Sequence, residues 1–156
     1  MQKQSAGLLL YRRGAAGLEV LLAHPGGPFW ARKDLGAWSI PKGEFTADEA
    51  PLDAARREFA EEIGTAIDGA FLALTPVKQP SRKIIHAFAL ERDLDVERIS
   101  SNRFEMEWPP HSGKRQRFLE VDRAAWFSLP EAKQRIQKGQ LPILDELVRK
   151  IPDNDC

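Results

Sequence analysis

A mixed α/β fold of layered type is what this sequence predicts, on three observations. Apolar runs of strand length stand at residues 5–11 (SAGLLLY), 18–23 (LEVLLA) and 83–90 (KIIHAFAL). One helix-period segment, residues 50–63, lies between them. Two further helix-like segments, 129–138 and 141–150, close the chain. Strands before and after a helix, with more helices gathered at the end, suit a sheet covered by helical layers.

Each element has its own signal. Residues 12–17 (RRGAAG) read as a turn that folds the first two strands into a hairpin. Residues 24–36 (HPGGPFWARKDLG) are punctuated by Gly and Pro and filled with aromatic and basic side chains, which predicts a loop over a site. Residues 37–40 (AWSI) read as a short strand, and residues 41–43 as a sharp turn out of it. Thr46 or Asp48 is the expected cap of the helix that follows, with Pro51 in its first turn and Gly64 as a left-handed stop. At about 100° per residue, Leu52, Phe59 and Ile63 share a flank that can pack inward. Glu58, Glu61 and Glu62 share the neighbouring flank. Residues 67–77 read as a strand ended near Pro76, and 91–102 as a charged connection. Residues 103–108 (RFEMEW) alternate as a half-buried strand does, 109–116 (PPHSGKRQ) read as a loop, and 121–127 as a last short strand. Pro130 starts the first terminal helix and Gly139 separates it from the second.

Composition narrows the function classes. The 156 residues are enough for one domain, 1–156, with a sizeable core. Lys and Arg together number 23, as do Asp and Glu, so no basic excess points to a nucleic-acid partner. No apolar run approaches the roughly 18–20 residues of a membrane span, and the first residues lack the apolar core of a signal peptide. The single cysteine, Cys156, has no partner for an internal disulfide and sits in a terminal position poor for a nucleophile. A cytoplasmic location is the resulting expectation. Monomer and homodimer are both compatible with the sequence.

The chemistry is concentrated in residues 43–65, GEFTADEAPLDAARREFAEEIGT. Like charges three or four residues apart on a helix repel, so this density of carboxylates calls for a cation. Glu58 and Glu62 are one helical turn apart with Glu61 beside them, so the three could share a metal cluster. Carboxylate oxygens are hard ligands suited to Mg²⁺ or Mn²⁺. Such ions neutralise charge on phosphate oxygens and activate water, which is most of what cleavage of a phosphoanhydride needs.

The spacing resembles the Nudix box, G-x5-E-x7-R-E-U-x-E-E-x-G-U, where U is bulky and apolar. Gly43, Glu49, Arg57, Glu58, Phe59, Glu61, Glu62 and Gly64 match, and Thr65 departs at the last position. The resemblance to the Nudix hydrolases implies an α/β/α sandwich with a mixed sheet and a catalytic loop–helix–loop. It implies hydrolysis of a nucleoside diphosphate linked to a further group X, with Mg²⁺, or Mn²⁺ in its place. Glu58, Glu61 and Glu62 would be the main metal ligands, one of them, Glu58 first, also helping to activate water. The carbonyl of Lys42 or Gly43 would complete the coordination. Arg57 would orient a glutamate, and Glu49 would support the helix or the outer metal site.

Substrate choice falls outside the box. Residues 82–95 and 120–132 loosely resemble the diadenosine polyphosphate hydrolases of the family, which makes a dinucleoside polyphosphate the leading substrate. Nucleoside triphosphates and ADP-ribose-like compounds or nucleotide sugars follow it. In that resemblance Glu120 is a further acid near the metals, with Glu105 and Glu107 as competitors. Lys42, beside the box glycine, is the first phosphate-binding candidate, ahead of Lys83, Arg82, Arg32 and Lys33. His86 is a candidate phosphate contact or acid. Trp30 and Trp108, next to loops, are the candidates for stacking on a base, whereas Trp38 and Trp126 read as core. A nucleotide-sensing module without turnover is the alternative from another class, since fold does not dictate function.

Overall fold

A computed structural model describes residues 3–151, so Cys156 lies outside the described residues. The chain runs β1 (Gln4–Gly14), β2 (Gly17–Pro25), β3 (Lys42–Phe45), α1 (Pro51–Ile63), β4 (Leu72–Ala73), β5 (Val77–Lys78) and β6 (Ile84–Glu91). It continues through β7 (Arg103–Glu107), β8 (Arg115–Leu119), β9 (Val121–Ser128), α2 (Leu129–Arg135) and α3 (Leu141–Lys150).

β1 is the axis of a seven-stranded mixed sheet. Along one edge it runs parallel to β6, from Gln4 opposite Ile84 to Tyr11 opposite Glu91. Its other edge is shared. The hairpin partner β2 pairs with residues 11–14, while β3 pairs antiparallel with residues 4–7. β2 then passes to β9 on its outer side. Two strands therefore part company along one edge of β1, and the opening between them positions the site.

Alternation along β1 decides the layers. Leu8 and Leu10 pack on one face with Ala54, Ala55, Phe59 and Ile63 of α1. Leu9 and Tyr11 pack on the other face with Ala132 of α2 and Ile143, Leu144 and Leu147 of α3. Both faces of the central strand are buried, which is why its sequence reads as an unbroken apolar run. The result is the expected α/β/α sandwich.

Several local expectations change. Residues 67–77 form only two short edge strands. Pro76 cannot donate to a ladder, and Thr75 turns its amide and hydroxyl to Glu146 of α3, at 2.7 and 2.8 Å. Residues 37–40 make single bridges, Ala23 to Ser39 and Trp38 to Ile136, in place of a strand. The buried Gln140 side chain captures them, accepting from the Ile40 amide and donating to the Ser39 hydroxyl. Lys42 and Gly43 belong to β3 and not to a turn. Residues 115–116, read as loop, begin β8, whose basic sequence hid a strand. The helix expected to reach 138 ends at Arg135, where Ile136 takes extended geometry, and Ser128 caps its start. Leu52 is only half buried, and Ala54 and Ala55 take the core positions beside Phe59 and Ile63.

Candidate functional site

The helix that carries the acids is fixed at both ends by backbone chemistry. Neither Thr46 nor Asp48 caps it. Ala50 is the extended N-cap with no side-chain bond, and Pro51 presets the first turn. At the other end Gly64 adopts the left-handed region (φ 89°) and donates to the Ala60 carbonyl. A side chain there would also strike Ser100. Phe59 is fully buried, a contribution of roughly 1.5–3 kcal/mol for such a side chain. The core flank thus holds the acid flank in a fixed rotation.

Glu58 departs from the pattern of an exposed acid. It is 8% exposed, and its carboxylate lies beneath Gly43. A Cβ at position 43 would fall on that carboxylate, so only glycine lets β3 approach the helix here. Arg57 organises the rest. Its guanidinium holds Glu49 through two bonds of 2.9 Å, and its remaining Nη reaches Glu58 and Glu61 at 3.4 Å each. This fork is the geometry a guanidinium offers and an ammonium does not. Glu62 accepts from the Lys42 amide at 3.3 Å.

The electrostatics tie these groups together. Burial, then repulsion from Glu61, pushes Glu58 up to about 7 against the pull of Arg57. Burial, then repulsion from Glu58 and Glu120, pushes Glu62 up to about 8 against Lys42. Burial and Glu61 also raise Glu120. The Lys42 ammonium is lowered by burial, and Lys83 adds to the effect while Glu62 opposes it. Four carboxylates therefore sit within electrostatic reach of one another.

One cleft of about 240 Å³ opens beside them, lined by Ala23, Pro25, Trp30, Ser39, Ile40, Lys42, Glu62, Glu120, Val121 and Gln137. It lies where β2 and β3 diverge from β1. Four residues singled out from sequence, Trp30, Lys42, Glu62 and Glu120, thus line one wall system, and Gly43, Glu58 and Glu61 adjoin it. Other candidates are elsewhere. Trp108 stands past the end of β7, edge-on to Phe29 at 5.5 Å. His86 bonds Gln4 at 2.7 Å and packs on Phe45, and burial lowers its pKa. Lys83 pairs with Glu44 at 3.0 Å. Glu105 pairs with Arg115, and Glu107 accepts from the His111 and Gly113 amides within its own hairpin. Lys33 sits over the Trp30 ring at 5.2 Å. Arg82 occupies a turn with φ 73°, and Arg32 is exposed.

Sequence reasoning missed Gln137 and His24. Gln137 reaches the cleft only because α2 stops early, for which the sequence carried no signal. His24 is fully buried, with one ring nitrogen 2.9 Å from Asp122 and the other 2.6 Å from the Lys33 carbonyl. It straps the loop after β2 to the start of β9.

Among the described residues, no three His, Cys, Asp or Glu side chains form a group that could hold a metal ion as it stands. Glu58 is turned to Gly43 and Arg57, and Glu62 to the Lys42 amide. The donor chemistry still fits a hard divalent cation. The set is all carboxylate, and Glu58, Glu62 and Glu120 are raised by burial first and by their acidic neighbours next, a cost that a bound cation would relieve.

A mixed sheet between helical layers, with an acidic loop–helix–loop beside a cleft, is the layout of the NUDIX fold. The chain belongs to the NUDIX domain family, whose model matches residues 1–147. It is 31% identical over 101 residues to an octanoyltransferase of Myxococcus xanthus, covering 65% of this chain and 25% of that protein. It is 53% identical over 38 residues to an RNA pyrophosphohydrolase of Thioalkalivibrio sulfidiphilus, covering 23% of this chain and 21% of that one. The matches thus span a quarter or less of these curated relatives. Among solved structures, the NUDIX domain of Shewanella oneidensis NrtR complexed with ADP ribose superposes with a TM-score of 0.65 at 15% identity, over 97% of this chain and 90% of that one. A C. elegans Ap4A hydrolase binary complex gives 0.61 at 20% identity, over 93% and 96%. At these identities the likeness is one of fold.

Proposed function

We propose that the chain is a Nudix-type pyrophosphohydrolase that cleaves a phosphoanhydride bond in a nucleoside diphosphate linked to a further group X. The observation that carries this reading is the shared cleft, in which Lys42, Glu62, Glu120 and Trp30 meet beside Glu58 and Glu61. A phosphate chain needs a cation-binding acid cluster, a basic side chain and a flat wall for the base, and this cleft offers all three. The leading substrate is a dinucleoside polyphosphate, followed by nucleoside triphosphates and ADP-ribose-like compounds.

Glu58, Glu61, Glu62, Glu120 and the Lys42 carbonyl are the assigned metal ligands, with Mg²⁺ the expected ion and Mn²⁺ its substitute. The bound cation would neutralise charge on the phosphate oxygens and make water a better nucleophile. Glu58, held beneath Gly43 and beside Arg57, is the assigned proton acceptor from the attacking water. Arg57 keeps Glu58 and Glu61 oriented. The Lys42 ammonium holds the phosphate chain, and Trp30 stacks on the base. Water adds to one phosphorus as the bridging oxygen leaves with the other, giving a nucleotide and a phosphorylated remainder. Lys83 and His86 have partners within the fold and are secondary contacts.

The test is a panel of nucleotides with Mg²⁺, read by product masses, for the wild type and Glu58→Gln. Turnover by the wild type and its near loss in the variant are expected. Saturable binding without product across the panel overturns the hydrolase reading in favour of a nucleotide sensor.

A further inference from the structure

The cleft acids come from two distant stretches of chain, α1 and the β8–β9 junction. Something must fix Glu120 against Glu61 and Glu62. The connecting piece is residues 100–102, in the link between β6 and β7. On one side the Ser100 amide donates to the Ile63 carbonyl and the Asn102 amide to the Glu61 carbonyl, both at 2.8 Å. These are carbonyls of the last turn of α1, which the helix itself leaves without donors. Gly64 permits the contact, because a Cβ there would strike Ser100. On the other side the Glu120 amide donates to the Asn102 carbonyl at 2.8 Å, and the Val121 amide donates to the Ser101 hydroxyl at 3.0 Å. That hydroxyl in turn donates to the Asn102 carbonyl at 2.9 Å. The Glu120 carbonyl accepts from Gly26 at 2.9 Å, closing the third side.

We propose that residues 100–102 form a bridge that sets the spacing between the acids of α1 and Glu120, and that Ser101 is its positioning residue. The inference rests on the hydrolase reading and on the assigned role of Glu120. Among the hydrogen bonds that join residues 100–102 to the Glu120–Val121 backbone, the Ser101 hydroxyl is the side-chain contribution, so a point mutation can reach it. The other bonds use main-chain groups and survive substitution. Ser101 also borders an open cleft of about 350 Å³ with Ser100, Arg103 and Asp122. The extra methyl of threonine therefore has room there, while the hydroxyl is kept.

The experiment is a double-mutant cycle between Ser101→Ala and Glu120→Gln, with Ser101→Thr as the conservative control. Steady-state kinetics and thermal unfolding are measured for each on whichever substrate the nucleotide panel identifies. Ser101→Ala is expected to lower kcat about five- to tenfold, the loss of roughly one hydrogen bond, with little change in KM. Ser101→Thr should restore most of that loss. The Ala change should cost almost nothing further in the Glu120→Gln background, because Ser101 acts through Glu120. Additive losses in the cycle, or a lower unfolding temperature with unchanged kcat, overturn the proposal. If Glu120→Gln itself turns over at the wild-type rate, the assignment of Glu120 fails, and the bridge as a positioning device fails with it. Loss of all turnover in the wild type would instead strike the hydrolase reading.

Discussion

The two sides of the cleft are built differently. The inner side is α1 and β3, where Ala54, Ala55, Phe59 and Ile63 lie fully in the core and Gly43 is in contact with Glu58. The outer side is the loop after β2 and the β7–β8 hairpin, a two-stranded sheet separate from the main one. That loop runs along the hairpin, with Gly26 against Leu119, Gly27 against Phe104 and Phe29 against Trp108. Phe29 and Leu35 are 60% and 69% exposed. Three of the four cleft acids, Glu58, Glu61 and Glu62, sit on the packed side, where side chains have few alternatives. Trp30, the group that would meet the base, sits in the loop after β2 at the margin of the core. Changes on the inner side, and at Glu120, which residues 100–102 tie to α1, should therefore act on kcat, and changes in the loop after β2 on KM.

The strongest break is Glu58→Gln. We expect a loss in kcat of about 10²–10⁴-fold, the scale of removing a positioned acid–base group. Stability should hold in metal-free buffer, because the amide matches the neutral form that burial already favours. Rate assays with and without Mg²⁺ beside a thermal melt check both halves. Wild-type turnover would sink the mechanism. Next in size is Arg57→Lys. The ammonium cannot hold Glu49 with two bonds while reaching Glu58 and Glu61. We expect kcat to fall about 10–100-fold, within the range seen when a residue orienting a metal ligand is removed. A change confined to KM would place Arg57 with the outer side instead.

How far the sequence could be read follows the same division. The acid flank of α1 was legible because helical spacing and the core flank at Phe59 and Ile63 are local properties. The layers were legible because a run such as residues 5–11 can be buried on both faces only in a central sheet. What was not legible depended on distant partners. Residues 37–40 lose their strand to a glutamine a hundred positions away, Gln140. The burial of Glu58 depends on β3 crossing α1 at a glycine, and no periodicity states that. Glu120 was reached only by resemblance, since its neighbourhood is made by main-chain bonds to residues 26 and 102. Trp30 and Trp108 looked equivalent in sequence, yet Trp30 alone of the two lines the cleft with the acids.

That difference gives the third prediction, which sharpens the outer side. Trp30→Ala should raise KM about tenfold, within the roughly 1–3 kcal/mol of one base–aromatic contact, and leave kcat nearly unchanged. Trp108→Ala should shift KM less, since its neighbour is Phe29 and not the cleft. Kinetics on a nucleoside triphosphate compare the two. Equal effects would mean that the hairpin closes over the ligand and the two sides are not separate.

The last effect is on stability and belongs to the acid cluster, Glu120 included. Glu62 is raised to about 8 from an ordinary value of 4.5 by burial and by Glu58 and Glu120. In the unfolded chain it loses its proton near 4.5, while in the folded protein it keeps it to about 8. The folded state therefore binds the extra proton across that window, and stability must fall as pH rises through it. Its contribution is fully present below about 4.5 and gone above about 8. Glu62→Gln, an isosteric neutral side chain, removes this dependence. In metal-free buffer the variant and wild type should melt close together near pH 5, and the variant should melt progressively higher as pH rises toward 9. Added Mg²⁺ should reverse the order at high pH, because the cation stabilises the ionised wild-type acids and finds fewer ligands in the variant. Calorimetric melts of both proteins across pH 5–9, with and without the ion, make the comparison. A constant gap between the two melting temperatures over that range would show that Glu62 is not held neutral by the cluster, and the inner side would lose its electrostatic account.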